Sequence, residues 1–133
     1  MKSALANVAA VAVGGAMGAS LRYIAAHLTH TILGRDFPYG TLLVNVTGSL
    51  VIGYLLVLLP ETAEDQWPMV RLLLVTGLLG GFTTYSAFSI ETLRLLQDGQ
   101  LTRAGMNIVL TLVFCFLAVW AGFVLGRVMH AGS

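Results

Sequence analysis

Charged residues are placed along this chain so that four long stretches carry none. Lys2 to Arg22 encloses 19 uncharged residues, Asp36 to Glu61 encloses 24, Arg71 to Glu91 encloses 19, and Arg103 to Arg127 encloses 23. A helix that crosses hydrocarbon needs about 20 mostly apolar residues, so each stretch is long enough to cross. Charged residues make up 10 % of the 133, against roughly 25 % in soluble domains, and the mean hydropathy is +0.87. The expected fold is an all-α membrane protein, one domain over 1–133, with helices over about 5–28, 38–59, 69–97 and 101–127. A cleaved signal peptide ending near Ala16-Met17-Gly18 is the competing reading of the first stretch. The apolar pattern continuing through Tyr23 and Ile24 speaks against it. One cysteine, Cys115, excludes an internal disulfide, and a net charge of +1 gives no reason to expect nucleic acid as a partner.

The third stretch reads badly as one continuous helix. From Gly77 to Glu91 it runs Gly-Leu-Leu-Gly-Gly-Phe-Thr-Thr-Tyr-Ser-Ala-Phe-Ser-Ile-Glu. Paired glycines have poor helix propensity, and the threonine hydroxyls compete for backbone groups. A helix break is therefore expected near 80–84. At membrane depth it exposes carbonyls and amides that must be buried in protein or bind something.

The other helices carry polar groups at helical spacing. On the second, which Pro38 starts and Pro60 helps to stop, Thr41, Asn45 and Ser49 recur at i, i+4, i+8. The Asn45 amide demands a partner in hydrocarbon, and spacing leaves open whether that is another helix or a ligand. On the fourth, Asn107, Thr111 and Cys115 form a matching row. Beyond the break, Tyr85 and Phe88 project toward one side, with Thr84, Phe88 and Glu91 at i, i+4, i+7. The first helix shows Gly14, Gly15, Gly18 and Ala19 as a packing face. Its Arg22 either snorkels to the interface or lines a watery vestibule. His27 and His30 have spacing compatible with a shared metal, but read first as interfacial residues. Glu61, Glu64 and Asp65 form an acidic loop, Trp67 suits the aromatic belt, and Trp120, deep in its span, is expected to be packed.

With four crossings both termini share a side, which holds Lys2, Arg71 and Arg127 against Arg35, Arg94 and Arg103 on the other, plus Arg22 if it snorkels there. So even a count sets no orientation and suits a chain inserted both ways. No P-loop, dinucleotide fingerprint or Ser/His/Asp set is present, so enzymatic catalysis is not expected. Hydroxyls, amides and the electropositive edges of aromatic rings suit a small anion that sheds water.

At these residues the chain resembles the CrcB/Fluc family of fluoride channels over nearly its whole length. Gly15-Ala16-Met17-Gly18-Ala19-Ser20-Leu21-Arg22-Tyr23 is similar to the family's first-helix motif. Gly40-Thr41-Leu42-Leu43-Val44-Asn45 with Gly48 and Gly53 resembles the second, and Gly80-Gly81-Phe82-Thr83-Thr84-Tyr85-Ser86-Ala87-Phe88-Ser89 the third. The resemblance implies a dual-topology antiparallel homodimer in the bacterial plasma membrane, with two fluoride pores. It also implies a structural sodium ion at the dimer centre, held by backbone carbonyls of Gly80 and Thr83. Asn45, Tyr85 and Phe88 match pore positions, Asn107, Thr111 and Cys115 the fourth-helix polar track, and Thr41 and Glu91 polar positions near the path. Arg22 matches the first-helix arginine. Tyr85 departs from the usual phenylalanine, and Cys115 stands where a hydroxyl would be the better donor. The alternative is a small four-helix proton-coupled multidrug exporter, which needs a membrane-embedded acid that the first helix lacks. A purely structural membrane subunit would explain the glycines but not the polar rows.

Overall fold

A computed structural model describes residues 2–60 and 67–130, so the acidic loop at Glu61, Glu64 and Asp65 lies outside the described residues. Among those described, all regular structure is helical: α1 Lys2–Leu33, α2 Tyr39–Leu58, α3 over residues 68–82, α4 Tyr85–Gln97 and α5 Leu101–His130. With α3 and α4 taken as one interrupted span, four segments are long and apolar enough to cross a membrane.

The helix ends follow from local chemistry. α1 runs past the expected Leu28 to Leu33, and along this last turn the Thr29 and Thr31 hydroxyls donate to the carbonyls of Ala25 and His27, at 2.7 and 2.9 Å. It stops at Gly34, whose φ of 83° is the left-handed conformation that suits glycine. Pro38 sits one position ahead of α2, and Pro68 opens α3, where a missing N–H costs no helical bond. At the end of α4, Gly99 N–H donates to Leu96 O and Gln100 N–H to Leu95 O, at 3.1 and 2.8 Å. That crossed pair closes the helix and turns the chain directly into α5.

Two helix pairs meet backbone to backbone. α2 packs along α5, where a Cβ on Gly53 or Gly122 would run into the carbonyl oxygen of Val119 or Leu50. α1 packs along α3 in the same way, Gly14 resting on Leu73 O and Gly18 on Leu78 O. Leu73 and Leu78 belong to a segment, Leu72–Leu79, wound as a π-helix. Its i→i+5 winding stacks residues five apart. So Leu73 and Leu78 present their carbonyls one above the other to glycines that are four apart on α1. Nothing in Leu-Leu-Leu-Val-Thr-Gly-Leu-Leu signals this winding; it belongs to the helix pair.

Trp120 corrects an expectation. It is 65 % exposed, because the packed side of α5 is the row of small residues Thr111, Ala118, Gly122 and Gly126. Trp120 lies two positions from both Ala118 and Gly122, roughly 200° around the helix at 100° per residue. The bulky side chains of α5 face away from the bundle, toward lipid or a partner.

Candidate functional site

The interruption between α3 and α4 is narrower than the expected 80–84. Gly80 and Gly81 remain helical, and only Thr83 (ψ 158°) and Thr84 (φ −154°, ψ 114°) are extended. The Thr83 carbonyl and both backbone groups of Thr84 find partners on flanking helices. Asn45 on α2 uses both ends of its amide on Thr84, Nδ2 donating to the carbonyl at 3.0 Å and Oδ1 accepting from the N–H at 2.7 Å. Arg22 on α1 reaches the Thr83 carbonyl with Nη1 at 3.4 Å. Thr84 then caps α4, its Oγ1 accepting from Ala87 N–H at 3.1 Å and meeting Ser86 Oγ at 3.2 Å. Of the two alternatives for Asn45 the structure shows the tie between two elements, with one Nδ2 hydrogen left over. Arg22 is half-buried beside the break. Its charge sits at the carbonyl end of α3, where the helix dipole is negative.

Beside this break lies a laterally open groove of about 440 Å³. Asn45 and Ser49 reach it from α2, Gly80 and Thr83 from the break, and Thr111 and Cys115 from α5. Tyr85 and Phe88 also line it, with ring centroids 5.4 Å apart, but their surroundings differ. Phe88 is 7 % exposed and Tyr85 76 %, so one ring is held inside the bundle and the other reaches out of it. Hydroxyl, thiol and amide groups thus line an otherwise apolar trough formed by Leu79, Ile52, Val75 and Val119.

The remaining polar positions gather along α4. Thr41 Oγ1 donates to Glu91 Oε1 at 2.8 Å. Asn107 Nδ2 donates to Thr92 Oγ1 at 2.8 Å, and Thr92 in turn donates to Phe88 O at 2.7 Å. Asn107 is 1 % exposed and lies outside the groove, one turn along α5 from Thr111. The row predicted on α5 is therefore divided between groove and bundle. Asn107 Oδ1, an acceptor, and the Thr111 hydroxyl, which donates or accepts, are buried without a partner among the described residues, a costly state that calls for a further partner at each. Sequence reasoning missed Thr92. Its signal was legible all the same, since Thr84, Phe88 and Thr92 follow at i, i+4, i+8. His27 stacks on Tyr23 with centroids 6.1 Å apart, and among the described residues no three His, Cys, Asp or Glu side chains gather as a metal site.

Four membrane spans, an interrupted helix with its backbone satisfied by side chains, and a trough of hydroxyl, amide and aromatic groups define a small multi-pass membrane protein of the pore-forming class. Residues 9–123 match the family described as CrcB-like protein, Camphor Resistance (CrcB). The chain belongs to that family. A relative from Opitutus terrae is 46 % identical over 115 residues, covering 86 % of this chain and 87 % of its own. One from Coxiella burnetii (strain Dugway 5J108-111) is 39 % identical over 121 residues, 91 % of this chain and 98 % of its own. One from Methylococcus capsulatus is 42 % identical over 93 % of this chain, which spans 54 % of that relative's length. All three are named fluoride-specific ion channel FluC.

Proposed function

We propose that this protein is a fluoride-selective passive channel of the bacterial plasma membrane, letting fluoride leave the cytoplasm and so protecting the cell from it. The observation that carries the reading is the groove beside the break, where Asn45, Thr111 and Cys115 face the Tyr85–Phe88 pair. A fluoride ion that enters must shed water. Hydroxyl and amide hydrogens and the positive edges of aromatic rings replace that shell. The buried, unpartnered Thr111 Oγ1 carries a hydrogen with nothing among the described residues to accept it, as a donor waiting for an anion would. The groove has no carboxylate or imidazole in its wall. Glu91, the acid inside a span, is bonded to Thr41 elsewhere, so neither catalysis nor a proton relay is supplied, and the proton-coupled exporter is disfavoured.

The working form in this reading is an antiparallel homodimer. The groove is open on one side, and Tyr85 stands exposed at its edge, so a second copy completes the wall. The carbonyls at the break fit a sodium ion between the two copies. The Thr84 N–H that would serve Gly80 O in an unbroken helix is turned to Asn45 instead, which leaves that oxygen for another ligand. Gly80 and Thr83 from each copy would hold the ion, which when bound supplies a positive charge that lets the carbonyl ends of two α3 helices approach. Exchanging sodium for N-methylglucamine is expected to lower the thermal stability of the purified dimer. An unchanged melting curve and an unchanged efflux rate together would remove sodium from the proposal.

Fluoride and chloride efflux from liposomes, followed by ion-selective electrodes, tests the function itself. Fast fluoride loss with chloride retained is expected. Phe88→Ala is expected to slow fluoride loss at least about tenfold, about 1.4 kcal/mol in the barrier, while the protein remains a monodisperse dimer. Retention of fluoride by wild-type vesicles, or normal flux in Phe88→Ala, overturns the assignment.

A further inference from the structure

At the end of the bundle where α1 passes to α2 and α4 to α5, a cup of about 570 Å³ opens. Four elements contribute to its wall: Tyr23 and His27 from α1, Arg35 and Asp36 from the connection that follows, Arg94 and Asp98 on or just past α4, and Arg103 from α5. The five charged residues just named are exposed. Groups of opposite sign gathered this closely ordinarily close into ion pairs. Here no ion pair joins them. Arg103 donates to Gln100 Oε1 at 2.6 Å instead. Glu91, also in the wall and within electrostatic reach of His30 and Arg94, gives one oxygen to Thr41 and keeps the other buried and unpartnered.

Three guanidiniums therefore balance three carboxylates, histidines aside, and the cup is no general collector of anions. What it offers is separated charge of both signs, joined by no ion pair among the described residues. Its place is just as specific. It sits where two spans end, and Tyr23, 73 % exposed, is an aromatic of the kind that settles at headgroup depth.

We propose that this cup binds the headgroup of a zwitterionic phospholipid carrying a phosphate and a primary ammonium, a phosphatidylethanolamine. The phosphate lies on Arg35, Arg94 and Arg103, whose planar forks match its oxygens. The ammonium lies on Asp36 and Asp98, which accept its N–H donors. A choline headgroup has no N–H to give, and a glycerol headgroup has no cation, so each satisfies only half of the cup. This assignment rests on the cup and its place at the membrane surface, and does not depend on what the groove conducts.

Native mass spectrometry of the purified full-length dimer, offered equal amounts of phosphatidylethanolamine, phosphatidylcholine and phosphatidylglycerol, tests it. The ethanolamine lipid is expected to be retained about tenfold more than either competitor, the ratio that a 1.4 kcal/mol preference gives. Asp36→Asn with Asp98→Asn is expected to erase the preference over the choline lipid while leaving binding by phosphate. Arg35→Gln with Arg94→Gln is expected to weaken retention of all three. Soluble phosphoethanolamine competes if the headgroup is what is read. Equal retention of the three lipids, or a preference that survives the aspartate substitutions, overturns the proposal. Displacement by inorganic phosphate as effective as that by phosphoethanolamine reassigns the cup to free phosphate and overturns it too. All four positions are exposed and remote from the break, and a monodisperse elution profile separates lost binding from lost folding.

Discussion

Replacing Asn45 by alanine is expected to reduce fluoride efflux from liposomes to the level of vesicles without protein. The substitution removes two hydrogen bonds from one place, the Asn45 Nδ2 donation to Thr84 O at 3.0 Å and the Thr84 N–H donation to Asn45 Oδ1 at 2.7 Å. Both backbone groups sit at membrane depth, where leaving one unpaired costs about 1–3 kcal/mol. The helical alternative is closed as well, since continuing α3 through Thr84 would sacrifice the cap on α4 at Ala87. Thr84 is therefore expected to shift, and with it the start of the helix that carries Tyr85 and Phe88. Asn45→Asp separates geometry from charge. It keeps the acceptor for Thr84 N–H, places a carboxylate against the Thr84 carbonyl, and puts negative charge on the wall of the proposed anion path. It is expected to conduct no better than the alanine variant. Wild-type efflux from a monodisperse Asn45→Ala variant would remove Asn45 from the proposed pore.

The second large effect lies away from the groove. Gly18→Leu is expected to abolish the monodisperse purified protein, because a Cβ there runs into the carbonyl oxygen of Leu78 and comes within 2.8 Å of Phe82 N. Those atoms are backbone, so no rotamer relieves the clash and α1 must leave α3. Overpacking of this kind costs about 3 kcal/mol or more. It acts on the π-wound segment that leads into the break, so a partly folded variant is expected to lose flux as well. Gly105→Leu is the matched control, since nothing lies within 4 Å of a Cβ at Gly105. Size-exclusion profiles and melting temperatures of the two variants decide the matter. Equal behaviour would show that the α1–α3 contact is not a backbone contact.

Much of this protein was legible from residue order alone. Four charge-free stretches dictated four spans, since hydrocarbon rejects charge and tolerates only backbone that bonds within its own segment. Gly-Gly-Phe-Thr-Thr marked the interruption to within a few residues, because poor propensity and competing hydroxyls act locally. Of the rows Thr41–Asn45–Ser49 and Asn107–Thr111–Cys115, the last two members of each line the groove, since spacing along a helix is also spacing around it; Thr41 and Asn107 bond to α4 instead.

What remained hidden depends on contacts between distant segments. Asn45 and Thr84 are 39 residues apart, and Arg22 and Thr83 are 61 apart; no local pattern says which backbone group an isolated amide or guanidinium will satisfy. The π winding of Leu72–Leu79 arises where α3 meets the glycines of α1. The outward turn of Trp120 arises where α5 chooses its small-residue face for α2. The separation of Phe88 from Tyr85, one ring inside and one out, came from packing as well. Periodicity gives each side chain a direction from its own helix axis, and only the packing of neighbouring helices decides whether that direction leads to protein, to lipid or to a path for an ion.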